Sequence, residues 1–366
     1  MSTIKVKVFE VEKLQLANTR QINVAIDTNL AANEVILKID KFSLTANNIS
    51  YGVSGDTLGY WNFFPAEQHW GRIPAMGYSE VVLSNCQQIC VGERVWGFVP
   101  MASHVKVLAG KVSENGFLDI SEHRAGLSPL YASFERVAKN PFYQKENEDF
   151  DLLVRGLFTT SWLIEDFMFE QNYFGAKQYI VTSASSKTSI ALAFVIKERG
   201  ELPVVGITSN SNRKFVENLG CYDKVVSYDE LTDLNSSASS ILVDMAGSQK
   251  TLAAIHRHFA ERLRYSCRVG ATHHDDLIPN ELTTKSTLPG VSPTFFFAPT
   301  QLKKRTSDWG TLETMSKIAQ SLQGYIKFCQ TIITIEHSSN ADAIDDIYQK
   351  VRLGKADASV GQIISL

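Results

Sequence analysis

Between Gln178 and Thr272 the chain repeats one unit three times: a short apolar run, a small polar turn, and a stretch with helical spacing. The apolar runs are Tyr179 to Thr182, Val204 to Thr208 and Ile241 to Asp244, with Arg268 to Ala271 as a fourth. Parallel strands need a crossover long enough to carry the chain back to the same end of the sheet, and a helix is the usual one. The alternation therefore predicts an α/β domain with a doubly wound parallel sheet. Ligands of such sheets sit beyond the carboxyl ends of the strands, where the strand order reverses. The turn after the first run is the place to look for a site.

That turn reads Thr182-Ser183-Ala184-Ser185-Ser186-Lys187-Thr188-Ser189 and leads into Ile190-Ala191-Leu192-Ala193. A dinucleotide-binding turn ordinarily carries glycines here, for tight turning and close approach to a pyrophosphate. This one has none, but it keeps small side chains, hydroxyls, one lysine and the start of a helix. A helix start offers unpaired backbone donors and partial positive charge, which suit a phosphate. Ser183, Ser185, Ser186, Lys187 and Thr188 are thus candidate phosphate ligands. The same serines also make ordinary helix caps.

The second run ends in Gly206-Ile207-Thr208-Ser209-Asn210-Ser211-Asn212-Arg213-Lys214. An NAD site places a carboxylate near here for the ribose 2′-hydroxyl. None lies between Gly206 and Lys214. Ser209, Arg213 and Lys214 instead offer a hydroxyl and two cations, which favour a 2′-phosphate and hence NADP(H) over NAD(H). Elsewhere Arg213 and Lys214 would read as ordinary solvated helix residues.

Several further segments carry a family resemblance. Glu34-Val35-Ile36-Leu37-Lys38-Ile39, Val91-Gly92-Glu93-Arg94-Val95-Trp96-Gly97, Leu219 to Tyr228, Asp244-Met245-Ala246-Gly247 and Gly354-Lys355-Ala356 fall in a fixed order along the chain. That order resembles the medium-chain dehydrogenase/reductase superfamily, in its zinc-free quinone oxidoreductase-like branch. Ser183 to Thr188 and Phe297-Ala298-Pro299 are similar to the DUF2855 subgroup. The resemblance implies a GroES-like β-barrel domain over residues 1–150, a Rossmann domain over 151–299, and a return to the barrel domain over 300–366. It also implies that Thr160, Ala246, Gly270, Thr272, His273 and Phe297 lie along the cofactor, and that the chain forms a homodimer. The chain departs from the family in its glycine-free turn and in the aromatic stretch Tyr60 to Pro74. Those aromatics fit either a pocket for a flat or acyl substrate or the core.

Zinc-dependent relatives carry a Gly-His-Glu motif and four closely spaced cysteines. Here Gly77 is followed by Tyr78-Ser79, and Cys86 and Cys90 have no second pair nearby. A structural zinc site needs four nitrogen or sulfur ligands at short spacing, so no metal is expected. Hydride transfer without metal needs a group that holds or protonates a developing oxyanion or enolate. Tyr51, in Asn47-Asn48-Ile49-Ser50-Tyr51-Gly52, is similar to the family segment facing the nicotinamide and is the candidate donor. Asn47 and Asn48 are candidates to orient substrate.

Composition bounds the rest. A net charge of −3 with interspersed signs advertises no nucleic-acid or anionic-membrane surface. No stretch has the apolar length of a membrane span. The N-terminus alternates like a strand and lacks a signal-peptide core. Five scattered cysteines fit a reducing, cytoplasmic setting. Residues Pro141 to Asp151 read as an exposed polar connection, followed by a helix that buries Leu152, Leu153, Leu157, Phe158, Leu163, Ile164 and Phe167. Two functional readings follow: an NADP(H)-dependent reductase of a quinone or an α,β-unsaturated carbonyl, acting on a small molecule, or an NADP(H)-binding redox sensor or assembly subunit without turnover.

Overall fold

The computed structural model describes residues 2–127, 129–245, 247–269 and 288–366. The chain divides into two compact units, one formed by Met1–Leu153 with Thr334–Leu366 and the other by Val154–Ile333.

The first unit begins with β1 (Thr3–Glu12), β2 (Gln15–Asp27) and β3 (Glu34–Leu44), helix α1 (Ala46–Val53), and β4 (Trp70–Gly71). It continues with β5 (Pro74–Ser84), β6 (Arg94–Pro100), β7 (His104–Gly110), β8 (Gly116–Asp119), α2 (Pro129–Ala132) and β9 (Ser133–Arg136). Strands β3, β5, β6, β9, β8 and β7 pair in that order, and pairing of β3 with β7 closes them into a barrel. Closure removes the unpaired edges that an open sheet presents. In β1, exposed Lys5 and Lys7 alternate with buried Val6 and Val8, the period-two pattern expected of the N-terminus. The aromatics Trp61, Phe63 and Phe64 are buried in the same core as Val35, Leu37 and Val95, so of the two fates open to that stretch these three take the core.

The second unit carries most of α3 (Glu148–Glu170), then β10 (Gln178–Val181), α4 (Lys187–Arg199), β11 (Val204–Thr208), α5 (Arg213–Asn218) and β12 (Lys224–Ser227). After these come β13 (Ser240–Asp244), α6 (Gln249–Phe259), β14 (Leu263–Arg268), β15 (Thr294–Phe295), α7 (Ala298–Trp309) and α8 (Thr311–Ile332). Its sheet runs β12-β11-β10-β13-β14-β15, and every pairing is parallel. The first strand in sequence lies at the centre, and the chain winds outward from it in both directions. This is the doubly wound Rossmann order, with its switch point between β10 and β13. The chain then re-enters the first unit through β16 (Thr334–Ser338), α9 (Ala341–Arg352) and β17 (Val360–Ile364), with β17 on β3 and β16 on β17.

Three details differ from the sequence reading. The fourth strand of the repeat is Leu263–Arg268, ahead of the run at Arg268–Ala271; two arginines dilute its apolar signal. The return to the first unit begins at Thr334 and not near residue 300. Helices α7 and α8 stay with the second unit because Arg305 and Gln301 bond Asp166 of α3, and Tyr325 stacks on Phe158 at 5.1 Å. Residues Pro141 to Asp151 are not a wholly exposed connection. Glu148 is buried between Arg94 (2.7 Å) and Lys41 (2.9 Å), and Tyr78 donates to Asp151 at 2.9 Å. Charges paired this closely can be buried, and a polar run then looks like a surface loop when it is not.

Candidate functional site: the serine turn and the barrel tyrosine

At the carboxyl end of β10 the chain turns sharply. Ser183 takes a left-handed backbone, φ 49°, the conformation for which glycine is ordinarily used. The turn is tied down on all sides. Ala184 N donates to Ile207 O at 2.9 Å and Ser186 N donates to Ser183 O at 2.7 Å. Ser186 caps α4, accepting from Ser189 N at 3.2 Å, and buried Ser189 Oγ donates back to Thr182 O at 2.9 Å. Asn212 Nδ2 donates to Ser185 Oγ at 3.0 Å, joining the first turn to the second. Helix α4 thus begins at the switch point of the sheet, where a helix start carries partial positive charge.

Close packing supports this arrangement. A Cβ on Gly206 of β11 would lie 2.8 Å from the Tyr222 ring and 2.9 Å from the Ala184 methyl. The glycine that lets turn and sheet approach here sits in the strand, not in the turn. Across the switch point, Thr182 Oγ1 donates to buried Asp244 at 2.7 Å and accepts from Met245 N at 3.0 Å. These bonds lock the ends of β10 and β13 together.

The second turn, joined to the first through Asn212 and Ser185, carries Ser209 and Arg213. Ser209 Oγ is 2.9 Å from Ser211 Oγ. Arg213 is paired with Glu217 at 2.9 Å and with Glu230 at 2.7 Å, and these carboxylates raise its pKa. Lys214 is exposed on the first turn of α5. A 2′-phosphate approaching Arg213 must therefore compete with two carboxylates. Thr160 donates its hydroxyl to Gly156 O at 3.2 Å within α3, the helix-internal bond of a threonine. Its neighbour Ser161 reaches the turn instead, with Oγ 2.8 Å from Thr188 O and 3.0 Å from Leu157 O. Phe297 lies between β15 and α7, 44% exposed. Ala246, Gly270, Thr272 and His273 lie outside the described residues.

In the barrel unit, Tyr51 sits on α1, which a Thr45–Asn48 capping box begins. Asn48 is consumed by the fold: its oxygen accepts from Thr45 N at 2.7 Å and its nitrogen donates to Pro74 O at 2.9 Å. Asn47, one turn before Tyr51, donates to the phenolic oxygen at 2.6 Å. That bond uses a lone pair of Tyr51 and leaves the phenolic hydrogen for another acceptor. The ring packs against Tyr60 at 4.6 Å and edge-on to Phe98 at 5.4 Å, with Tyr131 at 6.4 Å. Burial, with Tyr131 and Tyr60 adding to it, pushes the Tyr51 pKa well above its ordinary value, so the group is a neutral acid at physiological pH.

The sequence reading did not single out Tyr222, Gly206, Asn212, Ser161 or Ser189 as parts of the turn's support. Tyr228 entered only as the last residue of a family-like segment. Among the described residues, no group of three or more His, Cys, Asp or Glu side chains is placed to hold a metal ion, and no helix is long and apolar enough to cross a membrane.

Residues 42–357 match the family model described as protein of unknown function DUF2855. The chain belongs to that family. No curated protein matches it. Among solved structures it is similar to the yhdH oxidoreductase from Salmonella enterica in complex with NADP, at 13% identity and TM-score 0.53, covering 98% of this chain and 99% of that one. It is similar to the CurK enoyl reductase, at 12% identity and TM-score 0.60, covering 99% of each chain. It is also similar to Etr1p in complex with NADP and crotonyl-CoA, at 14% identity and TM-score 0.55, covering 99% of this chain and 100% of that one. At these identities the likeness is one of fold: a GroES-like barrel joined to a Rossmann sheet, over the whole chain.

Proposed function

We propose that this DUF2855 protein is an NADP(H)-dependent reductase that works without zinc on a quinone or an α,β-unsaturated carbonyl compound. The observation that carries the reading is the Ser183 turn. It is a left-handed, capped strand-to-helix turn at the switch point, with a second turn free of carboxylates from Gly206 to Lys214. Side chains at this end of the sheet fit a phosphate: small, hydroxyl-bearing and next to a helix start. Solved structures of similar fold that hold NADP, one of them with crotonyl-CoA, support the cofactor and the substrate class.

NADP(H), when bound, supplies the hydride. Ser183, Ser185, Ser186, Lys187 and Thr188 would hold its pyrophosphate, and Ser209, Arg213 and Lys214 its 2′-phosphate. Tyr51 supplies the proton, because its hydrogen is not used by Asn47. The same Asn47 bond would hold the phenolate oxygen left after the transfer, offsetting part of the burial that raises the Tyr51 pKa. A homodimer in the cytoplasm belongs to the same proposal. It is supported by the edge position of β15 among the described residues, with exposed Phe295 and Phe297 beside it, and by five free thiols. Light scattering tests the dimer.

The test of the activity is NADPH consumption, with chelator present, against a panel of quinones, enones and enoyl thioesters. Chelator-insensitive turnover with one class is expected. A general acid contributes roughly 10²–10⁴-fold, so Tyr51→Phe is expected to lower kcat within that range while NADPH still binds. Tight NADPH binding without turnover on any class refutes the reductase and leaves the sensor or subunit.

A further inference from the structure

We infer that Tyr228 and Tyr222 are positioning residues that hold the Ser183 turn in the shape glycine would give it, so that nucleotide affinity depends on two phenols bonded to the turn's own backbone. The inference rests on the cofactor reading above and adds to it the device that makes a glycine-free turn workable.

Both tyrosines come from the segment around β12, and each takes one backbone group of the turn. Ser183 N donates to Tyr228 Oη at 3.1 Å, and the Ser183 hydroxyl lies 3.3 Å from the same oxygen. Tyr222 Oη donates to Ala184 O at 2.9 Å from a buried position. The Tyr222 ring fills the space over Gly206, where a Cβ would lie 2.8 Å from it.

A residue with a Cβ resists the left-handed region that Ser183 occupies, whereas glycine enters it without that penalty. Ser183 therefore needs partners that favour φ 49° over the ordinary conformations. Tyr228 binds the N–H whose direction that φ sets, and Tyr222 binds the next carbonyl. Ala184 N on Ile207 O completes the clamp. Burial raises the pKa of both phenols, so Tyr222 keeps the hydrogen it donates.

The clamp predicts a dependence between positions 183 and 228 that a merely structural tyrosine would not show. NADPH affinity is measured by fluorescence titration for the full-length protein and for Tyr228→Phe, Tyr222→Phe, Ser183→Gly and the Ser183→Gly/Tyr228→Phe pair, with thermal unfolding as the check on folding. Tyr228→Phe and Tyr222→Phe are expected to weaken binding about tenfold, equal to about 1.4 kcal/mol. Ser183→Gly also removes a hydroxyl assigned to the pyrophosphate, so its own affinity is the reference for the pair. In the pair, glycine supplies the conformation itself, so Tyr228→Phe is expected to cost less than about threefold beyond Ser183→Gly, against about tenfold in the parent, a coupling visible in the double-mutant cycle. Parental or tighter binding by Tyr228→Phe, or a pair about tenfold weaker than Ser183→Gly alone, overturns the inference while leaving the cofactor reading standing. Absence of NADPH binding by the parent protein overturns the cofactor reading, and the inference with it.

Discussion

Replacing Gly206 by alanine tests the packing under the serine turn directly. The added methyl would sit 2.8 and 3.0 Å from two carbons of the Tyr222 ring and 2.9 Å from the Ala184 Cβ, two of them closer than real Cβ contacts and the third tighter than most. None of these neighbours yields easily. Tyr222 is buried with its hydroxyl bonded to Ala184 O, and Ala184 N is bonded to Ile207 O. The strand and the turn must separate, or the ring must leave its place. Overpacking of this kind costs about 2 kcal/mol, roughly 4–8 °C in the unfolding temperature of a domain this size. The displaced turn is also expected to bind NADPH more weakly. Gly324 in α8 supplies the opposite case. A Cβ there meets only Phe194 Cζ at 3.7 Å, so Gly324→Ala is expected to raise stability by about 1 kcal/mol through helix propensity. Urea unfolding of both variants, with NADPH titration of the first, decides the matter. A Gly206→Ala protein as stable as the parent and equal to it in NADPH affinity would refute the close-packing argument.

Other perturbations have definite signs. Glu165 is buried against Arg199 (2.6 Å) and Tyr173, with Asp166 beside it, and burial outweighs Arg199 and raises its pKa to about 7. Its contribution to stability is therefore full below about pH 4.5 and is lost as pH rises through about 7; Glu165→Gln is expected to flatten the unfolding free energy across that window. Arg305→Ala leaves Asp166 buried without its ion pair and is expected to destabilise by about 3 kcal/mol in urea unfolding. Glu230→Gln keeps an acceptor for Ser227 N but removes one charge from Arg213; NADPH is expected to bind more tightly and NADH unchanged, by titration of each.

The sequence made the Rossmann unit legible where apolar runs were undiluted, at β10, β11 and β13. Strand β12 offers little beyond Val225 and Val226, and β14 interleaves arginines, so neither stands out before the sheet assembles. The turn itself was visible as a cluster of small hydroxyl residues. What holds it was not. Tyr222 and Tyr228 act on residues 38 and 45 positions away, and nothing in local spacing marks a tyrosine as a turn clamp. Thr160 and Ser161 show the same limit. Adjacent hydroxyls on α3 look alike in sequence, yet only the phase of the helix directs Ser161, and not Thr160, to Thr188 O. Asn48 was marked as a substrate ligand by its place in a family segment, while its amide serves the capping box. The glycine position was misleading in the same way, because the close approach is provided from β11 by Gly206 and not from the turn.

The central claim is that the glycine-free turn binds NADP(H). Parallel titrations of the purified protein with NADPH and NADH, by fluorescence and thermal shift, test it most directly. The account predicts saturable NADPH binding, weaker NADH binding, and loss of the difference in Arg213→Ala. Binding of neither nucleotide would contradict it.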